Sequence, residues 1–120
     1  MAAIIHPVGT DIPATDAYEF ARHHGVEDWF DAFVIHPRTG KDRVEAGEPL
    51  KQREADRFQR LQLLIERATQ AFGDESKALG WLTRAQYRFG GSTPLDCAAW
   101  ERNFLAVLDH LIRIEHGIYA

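Results

Sequence analysis

The feature that most constrains this chain is a long amphipathic segment that lies between a proline and a glycine. Within it, apolar residues recur at spacings of three and four: Phe58, Leu61, Ile65, Ala68 and Phe72. This spacing places their side chains on one face of a helix. Gly73 follows, and glycine readily adopts the left-handed conformation that ends a helix. The sequence therefore predicts a helix over about residues 51–72 that buries one face against other elements.

Shorter helices are predicted on both sides of this segment. Before it, Thr15 or Asp16 is expected to cap a helix that ends at Gly25, and further helices are predicted over residues 27–34 and 37–46. After it come residues 75–83, a loop over 85–92, residues 94–99 with Thr93 as the cap, and residues 101–116. In the last helix we expect Phe104, Val107, Leu108, Leu111 and Ile112 to face inward.

No stretch alternates apolar and polar residues as a strand would, so the predicted fold class is all-α with about seven helices. Residues 1–15 contain two prolines and a glycine without periodicity and are predicted to be an irregular arm. Residues 16–50 are predicted to form a helix-turn-helix-like lobe. The long helix then joins it to a second helical lobe within residues 51–120.

Length and composition limit the classes of protein to which this chain can belong. A chain of 120 residues is long enough for one domain or two small lobes. Its single cysteine, Cys97, excludes an internal disulfide and fits a reducing compartment. The sequence has no apolar run as long as a membrane span and no signal-peptide pattern at its start. We therefore expect a cytoplasmic protein that does not bind a membrane.

Charge is unevenly distributed along the chain. Residues 1–35 carry one arginine against six acidic residues, whereas residues 36–67 carry eight basic and six acidic residues. A nucleic-acid contact is therefore expected in the middle segment. Its helix 37–46 could be the recognition helix of a helix-turn-helix unit, with four residues contacting DNA: Arg38, Thr39, Lys41 and Arg43. The alternative is an ordinary solvated helix. The interior Gly40 should lower the stability of helix 37–46 by about 1 kcal/mol.

The sequence does not support an enzyme, a metal site or a cofactor. His23 and His24 are adjacent and point about 100° apart on a helix, while His110 and His116 lack the spacing of a helical metal pair. Cys97 lies in an apolar segment, where a small core residue is the simpler interpretation. Gly90 and Gly91 lack the strand and lysine of a phosphate-binding loop.

Two apolar features indicate contacts with other chains. Ile118, Tyr119 and Ala120 follow a glycine and either dock on their own core or bind a partner. Trp29, Phe30 and Phe33 exceed what one small lobe needs to bury, so a homodimer through these residues is predicted.

The second half of the chain resembles a known family through its residues 72–74, 78–82, 90–96 and 113–119. These runs resemble the toxin-binding domain of the Xre/MbcA/ParS antitoxins. Residues 36–39, 47–50 and 54–61 are similar to the segment that precedes this domain in that family. The resemblance covers roughly residues 16–120.

The resemblance implies a type II antitoxin whose partner is a RES-domain toxin that consumes NAD⁺. In such antitoxins the C-terminal domain binds the toxin and its tail covers the NAD⁺ pocket. The toxin contacts implied here are Arg113, Glu115, Gly117, Ile118, Tyr119 and Ala120. The N-terminal helices are implied to dimerise and to bind operator DNA, so that the complex represses its own genes. The alternatives are a DNA-binding regulator and an interaction module without a toxin partner.

Overall fold

The computed structural model describes residues 11–117, apart from the side chain of Glu101. These residues form seven α-helices and one 3-10 turn, in the order α1 Ala14–His24, α2 Glu27–Phe33, α3 Pro37–Glu45, α4 Gln52–Phe72, α5 Glu75–Leu82, the turn Tyr87–Phe89, α6 Pro94–Cys97 and α7 Glu101–Glu115. Within the described range, the only extended pairing is an isolated antiparallel bridge between Pro13 and Pro49. The prediction of an all-α fold with about seven helices is confirmed.

The chain divides into two compact units, residues 1–60 and residues 61–120, and the division falls inside α4. The three-part organisation expected from the sequence stays a prediction. None of the helices in residues 11–117 combines the length and the apolar character that crossing a membrane requires.

Side-chain caps start two helices of the second unit, α5 and α6, where the sequence predicts. The Asp74 carboxylate accepts the backbone N–H of Lys77 at 2.9 Å, at the start of α5. The Thr93 hydroxyl oxygen accepts the N–H of Asp96 at 3.0 Å, and Pro94 occupies the first position of α6. Each contact satisfies one of the N–H groups that a first helical turn leaves without an internal partner.

The start of α1 differs from the prediction. Neither Thr15 nor Asp16 caps it, because the helix begins at Ala14 after Pro13. The N–H of Ala14 donates instead to the carbonyl of Glu48 at 3.2 Å, and the adjacent N–H of Leu50 donates to the carbonyl of Ile12 at 2.8 Å. Ile12 and Leu50 are both buried. The end of the predicted irregular arm is therefore tied to the segment before α4.

The core of the first unit is built on aromatic contacts. The Phe58 ring of α4 meets the edges of Phe20 and Phe30 at centroid distances of 5.3 and 6.1 Å. Tyr18 packs on Phe30 at 4.7 Å. Such tilted and edge-on pairs contribute about 0.5–1.5 kcal/mol beyond the area they bury. They connect α1 and α2 to the first half of α4.

Gly40 of α3 lies against the Tyr18 ring of α1. It is buried, and a Cβ atom placed on it would lie 1.6 Å from the hydroxyl oxygen of Tyr18 and 2.6 Å from the adjacent ring carbon. The sequence predicts this glycine as a weak point of α3. The structure shows instead that only a residue without a side chain admits the Tyr18 ring here.

A buried ion pair holds the other end of α3. The guanidinium of Arg43 donates to a carboxylate oxygen of Glu54, and both side chains are largely withdrawn from water. The same oxygen accepts the backbone N–H of Lys51 at 2.7 Å. One carboxylate therefore anchors both α3 and the first turn of α4. Removal of either partner would leave a buried charge uncompensated.

In the second unit, α6 packs against both α5 and α7. The buried apolar residues of this unit are Leu61, Leu64, Ile65, Ala68, Ala78, Trp81, Leu82, Leu95, Ala98, Phe104, Val107 and Leu111. Trp81 contacts Phe72 at 5.8 Å and Phe89 at 5.9 Å between ring centroids. The α4 stripe, α5 and the loop after α5 therefore share one core.

The close approach at Gly40 generates a prediction about stability. Gly40→Ala should lower the free energy of unfolding by about 1–3 kcal/mol, because the new methyl group overpacks the contact with Tyr18. In a Tyr18→Ala background the same substitution should be neutral or stabilising by up to about 1 kcal/mol, since alanine favours the helix. Urea unfolding of the four chains of this double-mutant cycle measures the coupling. Equal effects of Gly40→Ala in both backgrounds would contradict the assignment.

Candidate functional site

The outer side of α7 carries apolar residues that the protein does not bury. Leu105 is 70% exposed and Ile112 is 40% exposed, while Leu108 is half-buried. Their spacing of three and four places them within about 60° of one another around the helix. We call these three residues the α7 edge. The prediction that Leu108 and Ile112 face inward is wrong for Ile112 and holds only in part for Leu108.

The α7 edge lies between two other strips of the same helix. On one side are the buried residues Phe104, Val107 and Leu111. On the other side are three exposed charged residues: Arg102, Asp109 and Arg113. Apolar residues thus extend beyond the part of α7 that the core covers. Trp100, which immediately precedes α7, is also 65% exposed.

A second exposed feature is the turn between α5 and α6. Tyr87 is 99% exposed. The N–H of Gly91 donates to the carbonyl of Gln86 at 3.0 Å, and both Gly90 and Gly91 have positive φ. The Gln86 side chain donates to the carbonyl of Trp81 at 2.9 Å. The turn is therefore fixed by backbone and side-chain contacts, and it presents the Tyr87 ring to solvent.

His110 lies beneath this turn. Its ring is parallel to that of Trp81 at 6.1 Å, and Phe89 meets it at 5.8 Å. The Arg88 guanidinium contacts its Nε2 atom. Burial, followed by the charges of Arg88 and Arg113, lowers the pKa of His110, and only Asp109 opposes this shift.

The predicted toxin-contact residues that the structure describes are Arg113, Glu115 and Gly117, at the end of α7. Arg113 pairs with Asp109 at 3.0 Å and is about half exposed, and Glu115 pairs with Arg67 of α4 at 3.3 Å. Gly117 follows α7 with φ +72°, so the chain leaves the helix there in a conformation that favours glycine. Ile118, Tyr119 and Ala120 lie outside the described residues.

Three of the four predicted DNA contacts are exposed on α3: Arg38, Thr39 and Lys41. Arg43 is the exception, because it is only 7% exposed and its guanidinium pairs with Glu54. Its assignment as a DNA contact is therefore corrected to a structural role. The His36 ring accepts the N–H of Arg38 at 3.2 Å, which caps α3 just before the exposed residues.

The residues predicted to mediate dimerisation are mostly buried within the chain. Phe30 is fully buried and contacts Tyr18 and Phe58. Trp29 is 7% exposed and lies 5.3 Å from the half-buried Phe33 ring. The interface was predicted because these rings exceed what one small lobe needs to bury, whereas this unit buries Trp29 and Phe30 within itself. A homodimer stays a prediction.

Cys97 is a free, half-buried thiol at the end of α6. Burial raises its pKa. Because the thiolate is the reactive form, this environment disfavours the chemistry of a nucleophilic cysteine.

Comparison with known proteins matches part of the second unit to a protein family. Residues 67–117 match the model of the antitoxin Xre/MbcA/ParS C-terminal toxin-binding domain. The chain is also similar to a Pseudomonas putida protein named Antitoxin Xre, with 33% identity over 84 residues that cover 70% of this chain and 53% of that protein. The chain thus spans about half the length of this curated relative. The matched segment contains the Tyr87 turn and all of α7.

The surroundings of His110 generate a prediction about pH. Since the folded state lowers its pKa, the unfolded chain takes up a proton first as the pH falls. The contribution of neutral His110 to the free energy of unfolding is therefore complete above about pH 6.5, the ordinary pKa of histidine. It declines as the pH falls toward the pKa of His110 in the folded state. Thermal unfolding of the wild type and of His110→Gln at several pH values isolates the pH dependence that comes from His110, because the variant should lack it. Parallel pH profiles for the two chains would contradict it.

Proposed function

The chain belongs to the antitoxin Xre/MbcA/ParS family, and we propose that it is the antitoxin of a type II toxin–antitoxin pair. The observation that carries this proposal is the match of residues 67–117 to a toxin-binding domain. The exposed apolar side chains of that segment support it, because aromatic and aliphatic residues form the centres of protein interfaces. In this role the chain acts by binding and catalyses no reaction.

We propose that the partner is a RES-domain toxin that consumes NAD⁺, and that residues 117–120 cover its active site. The structure supports the geometry as far as Gly117. The pairs Arg67–Glu115 and Asp109–Arg113 stabilise the last turns of α7, up to the point at which the chain leaves the helix at Gly117. Isolated exposed pairs of this kind contribute only about 0.2–1 kcal/mol each, so most of the rigidity comes from the buried Phe104, Val107 and Leu111.

A second proposed activity is binding of the chain's own operator through α3, which would make the antitoxin an autorepressor. It is supported by Arg38, Thr39 and Lys41, which are exposed together at the N-terminal half of this helix. The N-terminal end of a helix also favours a phosphate through its unpaired N–H groups and its dipole. Arg43 does not take part, since its charge is already paired.

Growth rescue tests the toxin partner and the tail. Co-expression with the proposed partner, a RES-domain toxin from the same genome, should restore growth, and a chain shortened by residues 117–120 should not, because the covering segment is lost. Thermal unfolding of the shortened chain controls for a folding defect. Full protection by a folded, shortened chain would contradict the covering role of these residues.

Gel shifts with the chain's own promoter test the DNA contact. Arg38→Ala with Lys41→Ala should weaken binding and reduce the slope of log K against log salt by about two, because two phosphate contacts are lost. A matched control is Lys77→Ala with Arg84→Ala, which removes the same charge from exposed positions of the second unit. Equal binding by both double variants would argue against α3 as the DNA-binding element.

A further inference from the structure

The α7 edge is an exposed apolar surface of the second unit to which no particular contact has yet been assigned. Leu105 is 70% exposed and Ile112 is 40% exposed. Folding of the chain alone therefore leaves part of their apolar surface in contact with water. Both lie on a helix whose adjacent face is packed into the core, so their positions are fixed. Three such side chains in one row on a fixed helix give a partner protein an apolar surface to contact.

The arrangement around the edge is that of an interface centre with a polar border. The charged strip of Arg102, Asp109 and Arg113 runs along one side of the three apolar residues. Protein interfaces commonly have an apolar centre, depleted of charge, inside a polar and hydrated rim. The edge therefore suits a protein partner with an apolar groove, into which one side of α7 can be laid.

A second copy of this chain is a poor occupant on the basis of area. Leu105, Leu108 and Ile112 together expose roughly 250 Å², so two copies paired through this edge alone would bury about 500 Å², whereas stable interfaces bury ~1,200–2,000 Å². A larger partner can add contacts beyond the edge. Within the same matched domain, Trp100 and Tyr87 are also exposed and available for such contacts.

We propose that the α7 edge, formed by Leu105, Leu108 and Ile112, is a docking surface for the toxin and supplies affinity separately from residues 117–120. This inference rests on the proposed antitoxin function, because its occupant is the toxin. It is supported by the position of α7, which lies entirely within the segment matched as a toxin-binding domain, over residues 101–115. Contact with the α7 edge holds the toxin, and the segment after Gly117 covers the toxin's active site.

Binding of purified chains to an inactive form of the proposed RES-domain toxin, measured by calorimetry, tests the docking surface. Leu105→Glu with Ile112→Glu should weaken binding about 100-fold or more, because two charges enter an apolar contact. The matched control is Ala106→Glu, which adds a charge at an exposed position about 100° away around the same helix. It should change binding by no more than about 3-fold. Because all three positions are partly or fully exposed, each variant should fold, and Leu105→Ala provides a milder second test.

The outcomes separate the two levels of the proposal. Wild-type binding with loss only in the edge variants supports the docking surface. Equal binding by the wild type and Leu105→Glu with Ile112→Glu overturns the docking surface and leaves the proposed function intact. No binding by the wild type overturns both. A change from dimer to monomer in sedimentation, with toxin binding unaltered, would assign the edge to self-association and overturn the inference. A chain lacking residues 117–120 should still bind through the edge.

Discussion

Burial of one apolar stripe along α4 is the interaction on which both units depend. In residues 1–60, Phe58 of this helix meets Phe20 and Phe30 edge-on and so packs against α1 and α2. In residues 61–120, the stripe continues with Leu61, Leu64, Ile65 and Ala68, all buried. Each large apolar side chain contributes roughly 1.5–3 kcal/mol when fully buried. That is a large fraction of the ~5–15 kcal/mol that separates folded from unfolded domains.

Much of the fold was predictable because helix ends depend on residues close in sequence. Thr93 and Asp74 cap helices through N–H groups three residues away, and Gly73 and Gly117 follow helices with the positive φ expected of them. The start of α1 was not predictable in this way. Its first N–H pairs with Glu48, 34 residues further along the chain, and no local pattern reports such a contact.

The role of residues in α3 was the hardest part to predict. Gly40 reads as a weak point until the Tyr18 ring of α1 is placed against it. Arg43 reads as a free cation like Arg38 and Lys41 until its pairing with Glu54 is known. In both cases the deciding partner lies on another helix. For α7, by contrast, a signal was present, since apolar residues from Val107 to Leu105 cover nearly half the circumference of the helix. A core this small covers only part of such an arc, and the remainder forms the α7 edge.

The contacts of α3 divide this helix into positions that can change and positions that cannot. A Cβ atom at Gly40 would meet the Tyr18 ring, and Arg43 pairs with the largely buried Glu54, so substitutions at either position carry a penalty in folding. Arg38, Thr39 and Lys41 touch water and carry little such penalty. Natural variation can therefore change the side chains of this surface while the packing beneath it stays constant. Related chains can therefore diverge at these exposed positions without first acquiring compensating changes in the core.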